Sequence, residues 1–468
     1  MPHAQSGPME RSTTHRYHRT VEVAGKRDID PCHLQRRAIM PQHHATLSDT
    51  DIVEAYVYLL GRYLVIRQET IDLADPDVDY NVLKHNPPVL AGTSSQSAPT
   101  FVNPNLDVVY SEAWVAVDAN TPAVLTIPEI PAGTYYTAQI VDEWAEITHN
   151  INERNYPHKP YGRYALCLQG SSPSYPDDCL RIDIPSSKAK LLTRVQLGTD
   201  PDLAISLQKA FSLSSLGRPQ PTPIVEFPTF TNANLPGAEV FAEPTLAAAL
   251  AAADACPRAT ELHPVIRAVA SQISHDERAL PHVDAVIRQQ AIPKFLQFVG
   301  SFGDITNGWS STAAYPSFGA DYWFRATANF GGIWWNSSTE AVYEMLHQDA
   351  DGKTPTGDHH YTLTFAAGAT PDTVAAAFWS LTAYGKPDYM LVPNEHGRYT
   401  LGYQSALQTN DDGSTTVHFA AELPANTPQS NWLPTPPGKP FTADLRLYLP
   451  STKIAAGQWA PPVLTKAT

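Results

Sequence analysis

The sequence predicts a mainly β protein with helical connectors: two antiparallel β-sandwich or jelly-roll-like domains joined by an α-helical segment. Three observations carry this expectation. A chain of 468 residues exceeds the size at which one hydrophobic core stops growing, so it divides into domains. Short apolar runs recur at intervals of about ten residues between Pro and Gly turns, which suits sandwich strands better than βαβ units. The 42 prolines, about 9% of the chain against a usual ~5%, leave few stretches for long helices. A composition 43% hydrophobic and 17% charged supplies the cores such a fold needs and argues against wholesale disorder.

Residues 1–46 carry Arg16, Arg19, Lys26, Arg27 and Arg36 and six of the 17 histidines. They show no hydrophobic period or metal-site spacing, and read as a disordered arm. Domain 47–199 opens with an amphipathic helix, where Asp51 and Glu54 form a capping-box-like pair ahead of the stripe Ile52, Tyr56, Leu59, Leu60, Tyr63 and Ile66. Strands follow over 123–127, 135–141 and 163–168. Residues 200–300 form the helical connector. It has Leu203, Leu207, Ala210 and Phe211 on one face, an alanine-rich turn after Pro244, and helical patterns over 263–273 and 281–299, the last interrupted at Pro293. Domain 301–468 opens with a short helix over 338–346, with Ser337 and Glu340 as its capping pair, and returns to strands over 361–365, 377–384, 415–419 and 443–449. No internal repeat at a fixed period relates the halves.

The net charge of −15 lacks the clustered Lys and Arg of a nucleic-acid footprint, so DNA and RNA are excluded as main partners. No run of about 18 apolar residues is present, so no membrane span is expected. Residues 1–45 lack the apolar core of an export signal, and the expected location is cytoplasmic. Cys32, Cys167, Cys179 and Cys256 are too sparse for a disulfide scaffold. Cys167 and Cys179 flank the turn 170–176 and would face each other across a hairpin, a pairing open to an oxidising compartment. The sequence leaves a homo-oligomer open.

The stretch Asn103-Pro104-Asn105-Leu106-Asp107-Val108-Val109-Tyr110-Ser111-Glu112-Ala113-Trp114 resembles the signature of domain-of-unknown-function family 1254. Thr126-Ile127-Pro128, Tyr135-Tyr136-Thr137 and Val141-Asp142 agree with it. The C-terminal half is similar to family 1214 through Tyr322-Trp323-Phe324-Arg325-Ala326, Ala341-Val342-Tyr343 and Phe378-Trp379-Ser380-Leu381-Thr382-Ala383-Tyr384. Asn431-Trp432-Leu433-Pro434 and Leu445-Arg446-Leu447-Tyr448-Leu449-Pro450 extend that likeness. The resemblance covers roughly residues 50–465 and implies two sandwich or jelly-roll modules joined by helices, often behind an export signal. It implies no activity. After Asp142 this chain has Glu143-Trp144-Ala145-Glu146 where the family tends to an aromatic, Thr and Asn; if those positions touch ligand, the substrate is distinct.

The chain has no GxSxG elbow, HExxH, P-loop or GxGxxG after a strand, so no organic cofactor is expected. Asn103, Asn105 and Asp107 alternate. On an extended segment they share one face, with Tyr110 on the other unless a bulge intervenes. In a functional reading Asp107 is a general base, Tyr110 assists it, and Asn103 and Asn105 orient substrate oxygens; the bland alternative is an Asx-turn network around a proline loop. Asp142, Glu146 and His149 could hold a divalent cation, or His149 could pair with a carboxylate as a catalytic acid/base; the alternative is an exposed acidic loop with one histidine. Arg325 and Arg398 are candidate substrate clamps, and Trp335, in the turn Phe330-Gly331-Gly332-Ile333-Trp334-Trp335, is a candidate pocket wall. For the arginines, a structural carboxylate partner is the alternative.

Together these residues suggest an enzyme, cofactor-independent or metal-assisted, of hydrolase or lyase type. It would act by acid/base chemistry on a small polar metabolite between the sandwiches. The competing reading is a non-catalytic protein that binds carbohydrate or another small ligand.

Overall fold

The computed structural model describes residues 47–88, 103–300, 305–315 and 317–467; the expected arm over 1–46 lies outside them. The N-terminal sandwich comprises β1 (Lys84–His85), β2 (Val108–Ala116), β3 (Ala123–Ile127), β4 (Tyr136–Val141), β5 (Ile147–Ile151), β6 (Gly162–Leu168), β7 (Leu180–Ile184), β8 (Lys188–Gln196) and β9 (Ser212–Ser215). The C-terminal sandwich comprises β10 (Trp309–Ser311), β11 (Ala341–Leu346), β12 (Tyr361–Phe365), β13 (Ala375–Gly385), β14 (Thr400–Gly402), β15 (Thr415–Ala420), β16 (Trp432–Pro434), β17 (Phe441–Pro450) and β18 (Thr465–Lys466).

The two sandwiches have the same topology. Strand order in the N-terminal sheets is β1-β2-β8-β4-β5 and β7-β6-β3-β9; in the C-terminal sheets it is β10-β11-β17-β13-β14 and β16-β15-β12-β18. Adding nine to each strand number converts one pair of sheets into the other. Pairing direction matches too: β6–β7 and β15–β16 are parallel, and the other pairs are antiparallel. The sequence shows no fixed-period repeat because loops of different length separate equivalent strands, and the repeat survives in connectivity alone.

Each sandwich buries an alternating face. On β8, Ala189, Leu191 and Val195 enter the N-terminal core with Ile140 and Tyr164, while Lys188, Lys190 and Arg194 point out of its back. On β17, Leu445 and Leu447 enter the C-terminal core with Trp379 and Phe419, leaving Asp444, Arg446 and Tyr448 on the back. The expected helix over 338–346 is instead strand β11. Ser337 and Glu340 do mimic a capping pair, and Ala341 N–H bonds Ser337 O at 3.0 Å. The Glu340 carboxylate, however, is taken by Asn152, Arg154 and Tyr135 across the domain seam, and the alternation of core Val342 with Tyr343 fits a sheet.

A helical body flanks the sandwiches. Its centre is α1 (Asp49–Leu73), capped by Ser48: the Ser48 hydroxyl accepts from Asp51 N–H at 3.2 Å and the Asp51 carboxylate accepts from Ser48 N–H at 2.9 Å. The capping box therefore starts three residues before the expected Asp51. Within the connector come α2 (Pro201–Ala210), α3 (Thr245–Ala249), α4 (Ala259–His275) and α5 (Ala279–Val286). A π turn, Ile287–Ala291, then leads without a break into α6 (Ile292–Gly300), so the chain stays helical through Pro293 and the expected interruption takes the form of the wider turn just before it. Past the connector, α7 (Tyr322–Gly331) crosses α1 where Gly61 meets Ala326. Tyr56, Leu59, Leu60 and Tyr63 are fully buried, and each such side chain contributes on the order of 1.5–3 kcal/mol. Among the described residues no helix is long and apolar enough to cross a membrane.

Buried ion pairs fasten α1 to the back of the N-terminal sheet. Lys188 Nζ lies 2.9 Å from Glu69 and 3.6 Å from Glu143, Glu143 pairs with Arg62 at 2.8 Å, and Lys190 pairs with Asp72 and Glu112 at 2.8 and 2.7 Å. Cys167 and Cys179 are both free thiols. The hairpin expected between them is a parallel pair, with Cys167 opposite Asp183 and Tyr164 opposite Leu180, so the two cysteines lie near opposite ends of it.

Candidate functional site

The backs of the two sandwiches meet along a seam, and the shared topology puts the same three-residue row on both. In register, Arg194 on β8 stands between Tyr110 on β2 and Thr137 on β4. Arg446 on β17 stands between Tyr343 on β11 and Ser380 on β13, the three equivalent strands. Each row thus offers a phenol, a guanidinium and an aliphatic hydroxyl side by side. Alternation on three adjacent strands makes such a row: one register position supplies three side chains to the same face.

The rows differ in their counter-charges. Arg446, 3% exposed, donates to Asn103 O at 3.1 Å and meets Asp444 at 3.3 Å, and its Nη1 is buried without a partner. Asp107 accepts a 2.5 Å bond from Ser380 Oγ within the field of Arg446. Burial pushes the Asp107 carboxyl above its ordinary range, and Arg446 and Ser380 pull against that rise. Arg194, 5% exposed, donates to two neutral oxygens, Gln139 Oε1 at 2.5 Å and Trp334 O at 3.0 Å. Among the described residues it forms no ion pair, although its guanidinium stays protonated. The ring of Tyr110 lies 5.5 Å from it.

Phenols join the rows. Asn105 Nδ2 donates to Tyr448 Oη at 2.5 Å and to Tyr110 Oη at 3.1 Å, and both phenols keep their own protons to donate. Tyr448 stacks on Phe378 at 4.0 Å, and Tyr135 meets both edge-on. Tyr343 lies within electrostatic reach of Tyr110, Arg194 and Arg446. Asp107, Tyr110 and Tyr343 are only partly buried, so this part of the seam reaches solvent.

Four of the residues singled out in the sequence therefore gather here: Asn103, Asn105, Asp107 and Tyr110. Their arrangement corrects the expected alternation, for Tyr110 reaches Asn105 instead of facing away. The segment before β2 is not extended: Asn103 has φ of 49°, and Asn105 Oδ1 caps Asp107 N–H at 2.7 Å. The Asx turn weighed as an alternative is present, and it aims the Asp107 carboxylate across the seam.

The other candidates stand elsewhere. Arg325, on α7, is locked bidentately to Asp254 at 2.7 and 3.1 Å, and Tyr58 donates to the same carboxylate. Asp142 Oδ1 caps the turn through Trp144 N–H at 2.8 Å and Glu146 N–H at 2.9 Å, its Oδ2 is buried and unpartnered, and burial pushes the group up to about 7. Glu146 accepts from Phe318 N–H at 3.2 Å. His149 pairs in register with Ile140 and so lies on the core face of its sheet, opposite to the seam; burial lowers its pKa. Among the described residues no three His, Cys, Asp or Glu side chains are placed to hold a metal ion, so Asp142, Glu146 and His149 do not form the cluster expected of them. Trp335 lies 6.1 Å from Tyr343 on the seam side and 5.7 Å from Phe324 on the other, where it lines a small cleft with Glu146 and Asn336. Arg398 lies in a loop tied by Asn394 to its backbone.

Sequence reasoning missed Arg194 entirely. The signal was the alternation Lys188-Ala189-Lys190 and Arg194-Val195, which reads as a solvent face because a strand does not announce that another domain covers its polar side.

The family models fall one on each sandwich. Residues 81–215 match the family model "Protein of unknown function (DUF1254)" and residues 340–452 match "Protein of unknown function (DUF1214)". The solved VPA0106 protein from Vibrio parahaemolyticus is similar in fold, with a TM-score of 0.63 at 18% identity, over 90% of this chain and 100% of that one. An uncharacterised protein from Burkholderia cenocepacia aligns at a TM-score of 0.42 and 11% identity, over 90% of this chain and 94% of that one. No curated protein matches the chain.

Proposed function

Because this chain pairs a DUF1254 region with a DUF1214 region, and the rows meet where those regions join, we propose that the seam is the active site of an acid/base enzyme. It acts, in a lyase-type reaction, on a small polar metabolite. One observation carries this reading: the 2.5 Å Ser380–Asp107 bond holds a carboxylate of raised pKa from one sandwich against the guanidinium row of the other. A carboxylate made more basic by burial is suited to remove a proton from carbon next to a carbonyl. Tyr448 and Arg446 supply donors for the resulting oxyanion, and Asn105 fixes the phenols. Collapse of that enolate, with Tyr110 protonating the leaving oxygen, expels a group from the neighbouring carbon.

The test is turnover of a panel of small oxo and hydroxy metabolites by the native protein and by Asp107→Asn. Loss of roughly 10²–10⁴-fold in rate with an unchanged melting temperature supports the reading. Equal turnover by both proteins refutes it.

A further inference from the structure

We propose that Arg194 is the binding site for the carboxylate of a small monoanionic substrate; this rests on the reading of the seam as an active site and names the class of molecule it takes. The argument is an internal comparison that the duplicated topology makes available. Two equivalent rows, Tyr110–Arg194–Thr137 and Tyr343–Arg446–Ser380, face one seam. In the C-terminal row the protein fills the anion position itself: Asp107 bonds the row's hydroxyl at 2.5 Å beside its guanidinium, and Asp444 lies 3.3 Å from the same arginine. In the N-terminal row only neutral groups are present. Thr137 contacts the amides of Asn150 and Asn152 at 3.2 and 3.3 Å, and Arg194 donates to an amide and a backbone carbonyl.

A guanidinium held out of water without a counter-charge is costly, and an incoming anion relieves that cost. Two of its five N–H bonds are used, leaving a planar set that matches a carboxylate fork. The placement of charge sets the valence. Arg446 faces two acids, Asp107 and Asp444, so the formal charges of the two rows already cancel, yet Arg194 has no acid in its own row; one substrate carboxylate answers it locally, and a second negative charge has no cation left to meet. A dicarboxylate or a phosphate dianion brings one charge too many into the seam. Tyr110 and Tyr343 on either side suit a molecule whose carboxylate is joined to a hydroxyl-bearing or flat body.

The experiment is calorimetric titration of the whole protein with lactate and benzoate, with lactamide as the neutral counterpart of lactate, and with succinate and inorganic phosphate as dianions. Saturable binding of a monocarboxylate, tighter than lactamide and both dianions, is the expected result. It should weaken roughly tenfold to a hundredfold in Arg194→Met and less in Arg194→Lys. Equal binding of lactate and lactamide, tighter binding of phosphate, no saturable binding of either monocarboxylate, or undiminished binding by a folded Arg194→Met overturns the proposal. The native preference decides the matter even if the methionine variant does not fold. Asp107→Asn keeps the two readings apart: it should retain monocarboxylate binding, and turnover surviving in it would defeat the acid/base reading while leaving the Arg194 site intact.

Discussion

Ser380 Oγ on β13 donates a 2.5 Å hydrogen bond to Asp107 Oδ2 at the entry to β2, joining residues 273 positions apart. The bond stabilises the ionised carboxylate against a burial that opposes it. Ser380→Ala should therefore raise the Asp107 pKa further, as seen in a carboxyl carbon-13 NMR titration, and should cost about 1–3 kcal/mol of stability. An unchanged titration would show that the bond does not set the acidity of Asp107.

The ion pairs beneath α1 make a separate prediction. Lys188 is fully buried between Glu69 and Glu143, and Lys188→Met leaves two carboxylates near each other with less compensation. Denaturant unfolding should report a loss of roughly 3–5 kcal/mol. A loss under about 1 kcal/mol would mean that water reaches the network.

Asp142 gives the fold a pH dependence whose sign follows from its environment. Burial raises its pKa from 3.8 to about 7, so between those values the native protein holds a proton that the unfolded chain releases. The contribution of this group to stability is full below about pH 4, falls as pH rises, and levels off above about pH 7. Asp142→Asn keeps the acceptor for the Trp144 and Glu146 amides and removes the titration. The stability of the native protein relative to that variant should therefore fall by roughly 1.4 kcal/mol per pH unit across this window. Parallel stability curves would contradict the assignment.

Cys167 and Cys179 should both be alkylated when the protein is unfolded without reductant, because the parallel pairing of β6 and β7 keeps them apart. Peptide mapping that recovers them as one linked pair would contradict this arrangement.

Much of the fold was legible because its cause is local. Short apolar runs marked β3 and β6, alternation marked β12 and β15, and the 3.6-residue period marked α1 and α4. What misled was tertiary. Ser337 and Glu340 imitate a helix cap, but Glu340 is claimed by Arg154 at 2.6 Å from the other sandwich, so 341–346 became a strand. For the site, the segment 103–110 was readable as Asn, Asp and Tyr crowded before a strand. Arg194 and the pairing of its row with that of Arg446 were not readable, because both depend on register across three strands and on two sheets meeting back to back. Arg325 looked like an open clamp only while its partner, Asp254, 71 residues away, could not be placed beside it.

The most direct test of the seam as an acid/base site is hydrogen exchange at carbon. Small 2-oxo monocarboxylates such as pyruvate and 2-oxobutanoate, incubated with the protein in deuterated water, should take up deuterium next to the carbonyl faster than in protein-free solution. The gain should vanish with Asp107→Asn. Exchange at the protein-free rate across the panel, or an equal gain with the asparagine variant, would contradict the account.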